Sequence, residues 1–237
     1  MKSKNILYYY FILLIVEIVA EVIFSLNNSP YLIFAIKPLL MPTLMVWAFL
    51  FAIENKLTFN PTLLLALIFS LFGDISLMLL SINPDIFIIG LACFLIAHII
   101  YIVLFIKIPT RQKSILRHKP YLLLPFILYG TILILFLYQQ NHPDFIKLQA
   151  AIIIYAAVIL AMLMAAVSRY GNISLQSYKS LTVGALLFIL SDSTIALSKF
   201  SHLFEQKEYL ARIIIMALYG TAQFLIVKGY ISSKIRS

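Results

Sequence analysis

The stretch SLFGDISLMLL, Ser70–Leu80, places an acid, Asp74, inside an apolar run with no cation beside it. The pattern returns later as SDSTIAL, Ser191–Leu197, around Asp192. Both copies read small residue, Asp, any residue, Ser or Thr, aliphatic, any residue, Leu. A charged side chain in hydrocarbon costs roughly 2.5–3.5 kcal/mol on insertion scales, so an acid kept there is read first as functional. Two acids in matching surroundings predict a site built on two carboxylates.

The rest of the chain supplies the hydrocarbon. Of its 237 residues 63% are hydrophobic and 11% charged, with a mean hydropathy of +1.02. That apolar content is far above the usual share for a soluble domain. The expected fold is all-α, a polytopic membrane helix bundle in a single domain over 1–237. Crossing the hydrocarbon core takes about 20 residues of helix. On that length the spans are Ile6–Leu26, Tyr31–Ile53, Pro61–Leu80, Ile86–Ile106, Tyr121–Tyr138, Phe145–Val167, Tyr178–Phe200 and Glu208–Ile231, eight in all. Short polar breaks part them, among them NNSP at Asn27–Pro30, ENK at Glu54–Lys56, NPD at Asn83–Asp85 and NHPD at Asn141–Asp144. The basic N-terminus lacks a small-residue cleavage site, and Glu17 and Glu21 interrupt the apolar run after it. It reads as a retained first helix rather than a signal peptide.

The net charge of +9 has a membrane explanation. Among the 18 Lys and Arg, Lys37 falls inside a span, and Lys147, Lys199, Lys207 and Arg212 fall on one side, in connections or at span ends. All the others, Arg111, Lys113 and Arg236 included, fall on the opposite side. Cytoplasmic connections carry the excess of basic residues, so both termini are predicted to be cytoplasmic. The basic loop Lys107–Lys119 reads as a topology signal, not a nucleic-acid patch. Lys-rich loops and compact length point to a bacterial inner membrane. The lone Cys93 excludes an intrachain disulfide and a thiolate-built zinc site. Asp74 and Asp192 lie 118 residues apart, as do Tyr101 and Tyr219, an offset that allows a 4+4 parallel repeat.

Helical rise converts position into depth. By the rise per residue, Asp74 and Lys37 lie about 9 Å from the outer boundary, Asp192 about 12 Å, Glu17 about 13 Å and Glu21 about 7 Å. Five charged groups on four helices therefore share one level. Glu17 and Glu21 share a helix face with Tyr10 and Leu14. His98 and Tyr101, three apart, are expected to point the same way. Tyr219 and Gln223 form another face, continued outward by Met216 and Arg212. Pro38 and Pro42 are expected to loosen the second helix and free carbonyls there. Each residue has a plainer reading: Glu21 pairing with Lys37, His98 as a hydrogen-bonded core histidine, and the tyrosines as packing. Ser70, Ser76, Ser191 and Ser193 either bond back to helix carbonyls or brace the aspartates.

The chemistry narrows by residue type. His98 is the only histidine within a span, so a His-rich zinc centre is not expected. No GxSxG elbow and no P-loop occur. Away from water a carboxyl group favours its neutral form, and of two neighbours one ionises less readily than the other. One can then give a proton while the other stays ionised, which suits reactions through an oxocarbenium-like cation. Ether or vinyl-ether cleavage of a lipid belongs to that class. The same groups suit a proton relay in a lipid or small-solute transporter. A third reading is a helical scaffold with no chemistry.

Five stretches together resemble the YhhN family of lysoplasmalogenases: KPLLMP (Lys37–Pro42), ALIFSLFGDISLML (Ala66–Leu79), GLACFLIAHIIYIVLF (Gly90–Phe105), GALLFILSDSTIALSKF (Gly184–Phe200) and YGTAQFLI (Tyr219–Ile226). They fall in the family's order on spans two, three, four, seven and eight. The resemblance implies an eight-span enzyme that hydrolyses the vinyl ether of lysoplasmalogens without a metal or other cofactor. Its products would be a fatty aldehyde and glycerophosphoethanolamine or glycerophosphocholine. It carries Asp74 and Asp192 over as the catalytic pair. The family's Lys-Pro motif falls on Lys37, its His-x-x-Tyr on His98 and Tyr101, and its Tyr/Ala-Gln on Tyr219 and Gln223. The expected partners are a lysophospholipid and the surrounding lipids. Lys37 and Arg212 are expected to meet the head-group phosphate, with Glu17 and Glu21 beside them.

Overall fold

The computed structural model describes residues 2–27, 31–109 and 114–234. Asn28, Ser29 and Pro30 of the first polar break lie outside the described residues, as do Arg111, Lys113 and Arg236. The described chain is helical in the order α1 (Ser3–Asn27), α2 (Tyr31–Glu54), α3 (Pro61–Met78), α4 (Phe87–Ile106), the short α5 (Ile115–His118), α6 (Leu124–Gln139), α7 (Pro143–Val167), α8 (Leu175–Phe200) and α9 (Glu208–Ser233). Eight of these are long and apolar enough to cross a membrane, all but α5. The protein is an integral, multi-pass membrane protein.

Boundaries follow local chemistry. Asn60 caps α3 by accepting from Thr62 N at 2.9 Å, and Pro61 takes the first helical position, where no N–H is needed. Ser174 caps α8 through Ser177 N. α3 ends at Met78, before the predicted Leu80. Two 3₁₀ turns, Leu79–Ser81 and Pro84–Ile86, follow it, with Asn83 Oδ1 holding Asp85 N at 2.9 Å. The fifth span likewise starts as a 3₁₀ turn, Pro120–Leu123, before α6 proper. α2 runs helical through Pro38 and Pro42, so the expected loosening does not break it.

The tightest seam joins α8 to α9. A Cβ at Gly184 would sit 2.9 Å from Ile226 N and 3.0 Å from Ala222 O, so only glycine lets these backbones approach. α3 packs on α4, α1 on α2 and α9, and α4 on α7. α6 lies at the edge against α7 and α8 and buries only Gly130 and Leu137. One apolar core fills the bundle, and a smaller one of Phe87, Leu137, Phe145, Ile152 and Phe200 fills one end. Eight crossings put Ser3 and Ser233 at the opposite end. There Ser3 bonds Glu54, Asn60 donates to Tyr230 OH, and Arg169 donates to Ile108 O at 3.2 Å.

Candidate active site

Asp74 is held by a ladder between α3 and α9. Tyr219 OH donates to Asp74 Oδ2 at 2.8 Å. One turn along both helices, Gln223 Nε2 donates to Ser70 Oγ at 2.9 Å. Gln223 Oε1 accepts from Tyr101 OH on α4 at 2.6 Å. Ser70, Asp74, Tyr101, Tyr219 and Gln223 are all buried. Hydrocarbon offers no replacement partners, so each polar group is satisfied by another helix. Ser70 thus braces Gln223 rather than the aspartate. Ser76 and Ser193 bond back to Phe72 O and Ile189 O, and Ser191 bonds Ile215 O on α9.

α1 completes that side. Tyr10, Leu14, Glu17 and Glu21 are buried on one face, as their spacing predicts. Tyr10 OH donates to Gly220 O at 2.7 Å. Glu21 sits between two cations, 3.4 Å from Lys37 Nζ and 3.5 Å from Arg212 Nη1. Arg212 also pairs with Glu208 at 3.8 Å. Glu17 is fully buried and neither of its carboxyl oxygens has a hydrogen-bond partner. It lies in electrostatic range of Lys37, Glu21 and Asp74.

Asp192 has different company. Tyr155 OH on α7 donates to its Oδ2, and His98 Nε2 stands 3.9 Å from the same oxygen. His98 is fully buried, its ring 4.6 Å from Phe188 and 5.4 Å from Tyr155, edge-on to both. Ser193, the next residue, accepts from Tyr129 OH on α6 at 2.8 Å. The expected common direction of His98 and Tyr101 is corrected here. His98 serves Asp192, whereas Tyr101 joins the Asp74 ladder. Three residues fall short of a full helical turn, and α4 is packed between α3 on one flank and α7 on the other.

Asp74 and Asp192 make no bond to each other. They are within electrostatic range, and a run of rings connects them. Tyr219, which holds Asp74, packs 5.4 Å from Phe188 and 5.8 Å from Phe94, and Phe188 packs on His98. Phe94 leans on α3 so closely that a Cβ at Gly73 would be 2.6 Å from it. The glycine before Asp74 makes room for that ring.

Three cavities approach this centre. The largest, about 420 Å³, has Glu21, Lys37, Lys199, Glu208 and Arg212 on its wall. Lys199 lies 4.7 Å above the Phe87 ring and 3.8 Å from Asp144. A second cavity, about 50 Å³, lies among α3, α4, α7 and α8, and a third, about 60 Å³, among α6, α7 and α8. Asp192 and Tyr155 line both of the smaller ones, and Asp74 lines none of the three. Among the described residues no three His, Cys, Asp or Glu side chains are grouped to hold a metal ion. Tyr155 and Lys199 are the residues that sequence reasoning missed as site members. Tyr155 is the one hydrogen-bonding side chain in the middle of IIIYAAVIL, a weak signal, and Lys199 reads as a topology charge.

The model of the YhhN family matches residues 32–230. The lysoplasmalogenase TMEM86B of Sus scrofa is 30% identical over 186 residues, covering 78% of this chain and 70% of that protein. The lysoplasmalogenase TMEM86B of Homo sapiens is 29% identical over 195 residues, covering 82% and 74%. No solved structure matches the chain.

Proposed function

The chain belongs to the YhhN family, and from that membership and the geometry of its site we propose a lysoplasmalogenase-like hydrolase that cleaves the vinyl ether of single-chain lysophospholipids within the membrane. The observation that carries this reading is Asp192. It is a carboxyl group largely withdrawn from solvent, held by one tyrosine, on the wall where two apolar cavities meet.

In the proposed reaction the head-group phosphate sits in the charged cavity against Lys37 and Arg212, and Lys199 is a third cation there. Asp192, protonated, gives its proton to the outer vinyl carbon. The adjoining carbon becomes an oxocarbenium ion. Asp192, now a carboxylate, takes a proton from the water that attacks this carbon. The hemiacetal then collapses to a fatty aldehyde and the free hydroxyl of glycerophosphoethanolamine or glycerophosphocholine. Atoms balance with one water consumed. Tyr155 orients the carboxyl through Oδ2, which leaves Oδ1 for the proton. Asp74 acts from behind Tyr219, its charge favouring the cation at a distance.

The test is aldehyde release by purified protein in detergent from a vinyl-ether lysophospholipid and from its acyl counterpart. Release from the first alone supports the reading. No release from either, with folded protein, overturns it. A proton-coupled transporter would need a closed membrane and a gradient, and detergent removes both.

A further inference from the structure

The three cavities share walls in sequence. Leu77, Phe87 and Ile195 line both the charged cavity and the second one. Ile152, Tyr155, Asp192 and Ala196 line both the second and the third. Along α8, Lys199 lies seven residues beyond Asp192, about 10 Å of helical rise, and Ala196 lies one turn beyond it. The order is therefore a wall of mixed charge, apolar wall, one carboxyl, apolar wall.

The third cavity offers almost nothing polar beyond that carboxyl. The Tyr129 hydroxyl is spent on Ser193, and Ser193 is spent on Ile189 O. The remaining lining is aliphatic, with Gly130, Leu133 and Leu137 on α6 and Ile159 and Leu160 on α7. On its other side α6 exposes Ile127, Leu128, Ile132 and Leu135. One helix thus separates this cavity from the surrounding lipid.

We propose that the single hydrocarbon chain of the substrate threads between α7 and α8 past Ala196 and Ile152, and extends into the α6–α7–α8 cavity toward α6, with Ala196 setting how much chain is accepted. The proposal rests on the reading given under Proposed function. It adds where the chain goes and which residue gates it. The charged cavity, with three cations and two carboxylates on its wall, matches a zwitterionic head group, the carboxyl falls beside the first carbons of the chain, and the aliphatic lining takes carbons that follow. Ala196 is the smallest of the four side chains that line both small cavities, so enlarging it closes the way while the Tyr155–Asp192 bond lies one turn away.

Two experiments test this on the full-length protein in detergent. In the first, Ala196→Phe is compared with wild type on a long-chain and a short-chain vinyl-ether lysophosphoethanolamine. The ratio of kcat/KM, long over short, is expected to fall by about tenfold or more, the scale of a misfit of one or more methylenes in an apolar pocket. An unchanged ratio overturns the proposal. In the second, a saturated-ether lysophosphoethanolamine bearing a diazirine at the chain end is photolysed with wild-type protein. Labels on α6 around Leu133 and Leu137 are expected, and labels on α1 and α2 or spread over the outer surface overturn it. Labelling needs no turnover. Wild-type protein that cleaves no vinyl ether defeats the functional reading, whereas cleavage with labels elsewhere defeats only the chain path.

Discussion

The two aspartates share a motif but not a setting. Asp74 belongs to a closed polar ladder, with Tyr219, Gln223, Ser70 and Tyr101 all buried and all bonded. Asp192 has one tyrosine, a histidine at 3.9 Å and two cavities against it. A satisfied buried network rigidifies and specifies a packing arrangement. A carboxyl on a cavity wall can meet a reacting atom. The two copies of the motif therefore sit differently: one acid belongs to a network that ties three helices together, and the other lies on a cavity wall.

The comparison predicts unequal losses. Asp192→Asn keeps the shape but removes the transferable proton, and aldehyde release should drop by about 10²–10⁴-fold, the range for general acid–base groups. Asp74→Asn keeps a partner for Tyr219 and should cost only about tenfold, the effect of one remote charge worth about 1.4 kcal/mol. Equal losses would erase the distinction. In the ladder, Gln223→Leu strands Ser70 and Tyr101 and should lower stability by about 1–3 kcal/mol, seen as a lower thermal midpoint in detergent. Tyr155→Phe on the other side should leave that midpoint near wild type and lower kcat, since it frees the carboxyl to rotate. The smallest effect is expected at the rim. Lys199→Gln should raise KM a few-fold with kcat unchanged, the signature of lost uniform binding. A fall in kcat there would mean that the cation helps the chemical step.

Much of the fold was legible because its signal is length. Apolar runs of about 20 residues broken by NPD and NHPD have one solution in a bilayer, and the helices end within a few residues of the breaks. The pairing of Glu21 with Lys37 was legible as well, since helical rise turns position into height. Azimuth was not. A period of 3.6 residues tells which side chains share a face, not which neighbour that face meets. Tyr101 and His98 were therefore expected to point one way, and they join different aspartates. Tyr155 carries no motif, and in an apolar helix a lone tyrosine reads as packing. Lys199 sits at the end of α8, where a lysine is an ordinary boundary residue. Both were revealed by what α4, α6 and α7 bring against α8.

The most direct check is a structure of the protein with a hydrolysis-resistant saturated-ether lysophosphoethanolamine bound. The ether oxygen should lie within hydrogen-bond reach of Asp192, between Tyr155 and His98, with the phosphate against Lys37 and Arg212. An ether oxygen resting beside Asp74, or a lipid lying only on the outer surface of the bundle, would contradict the account.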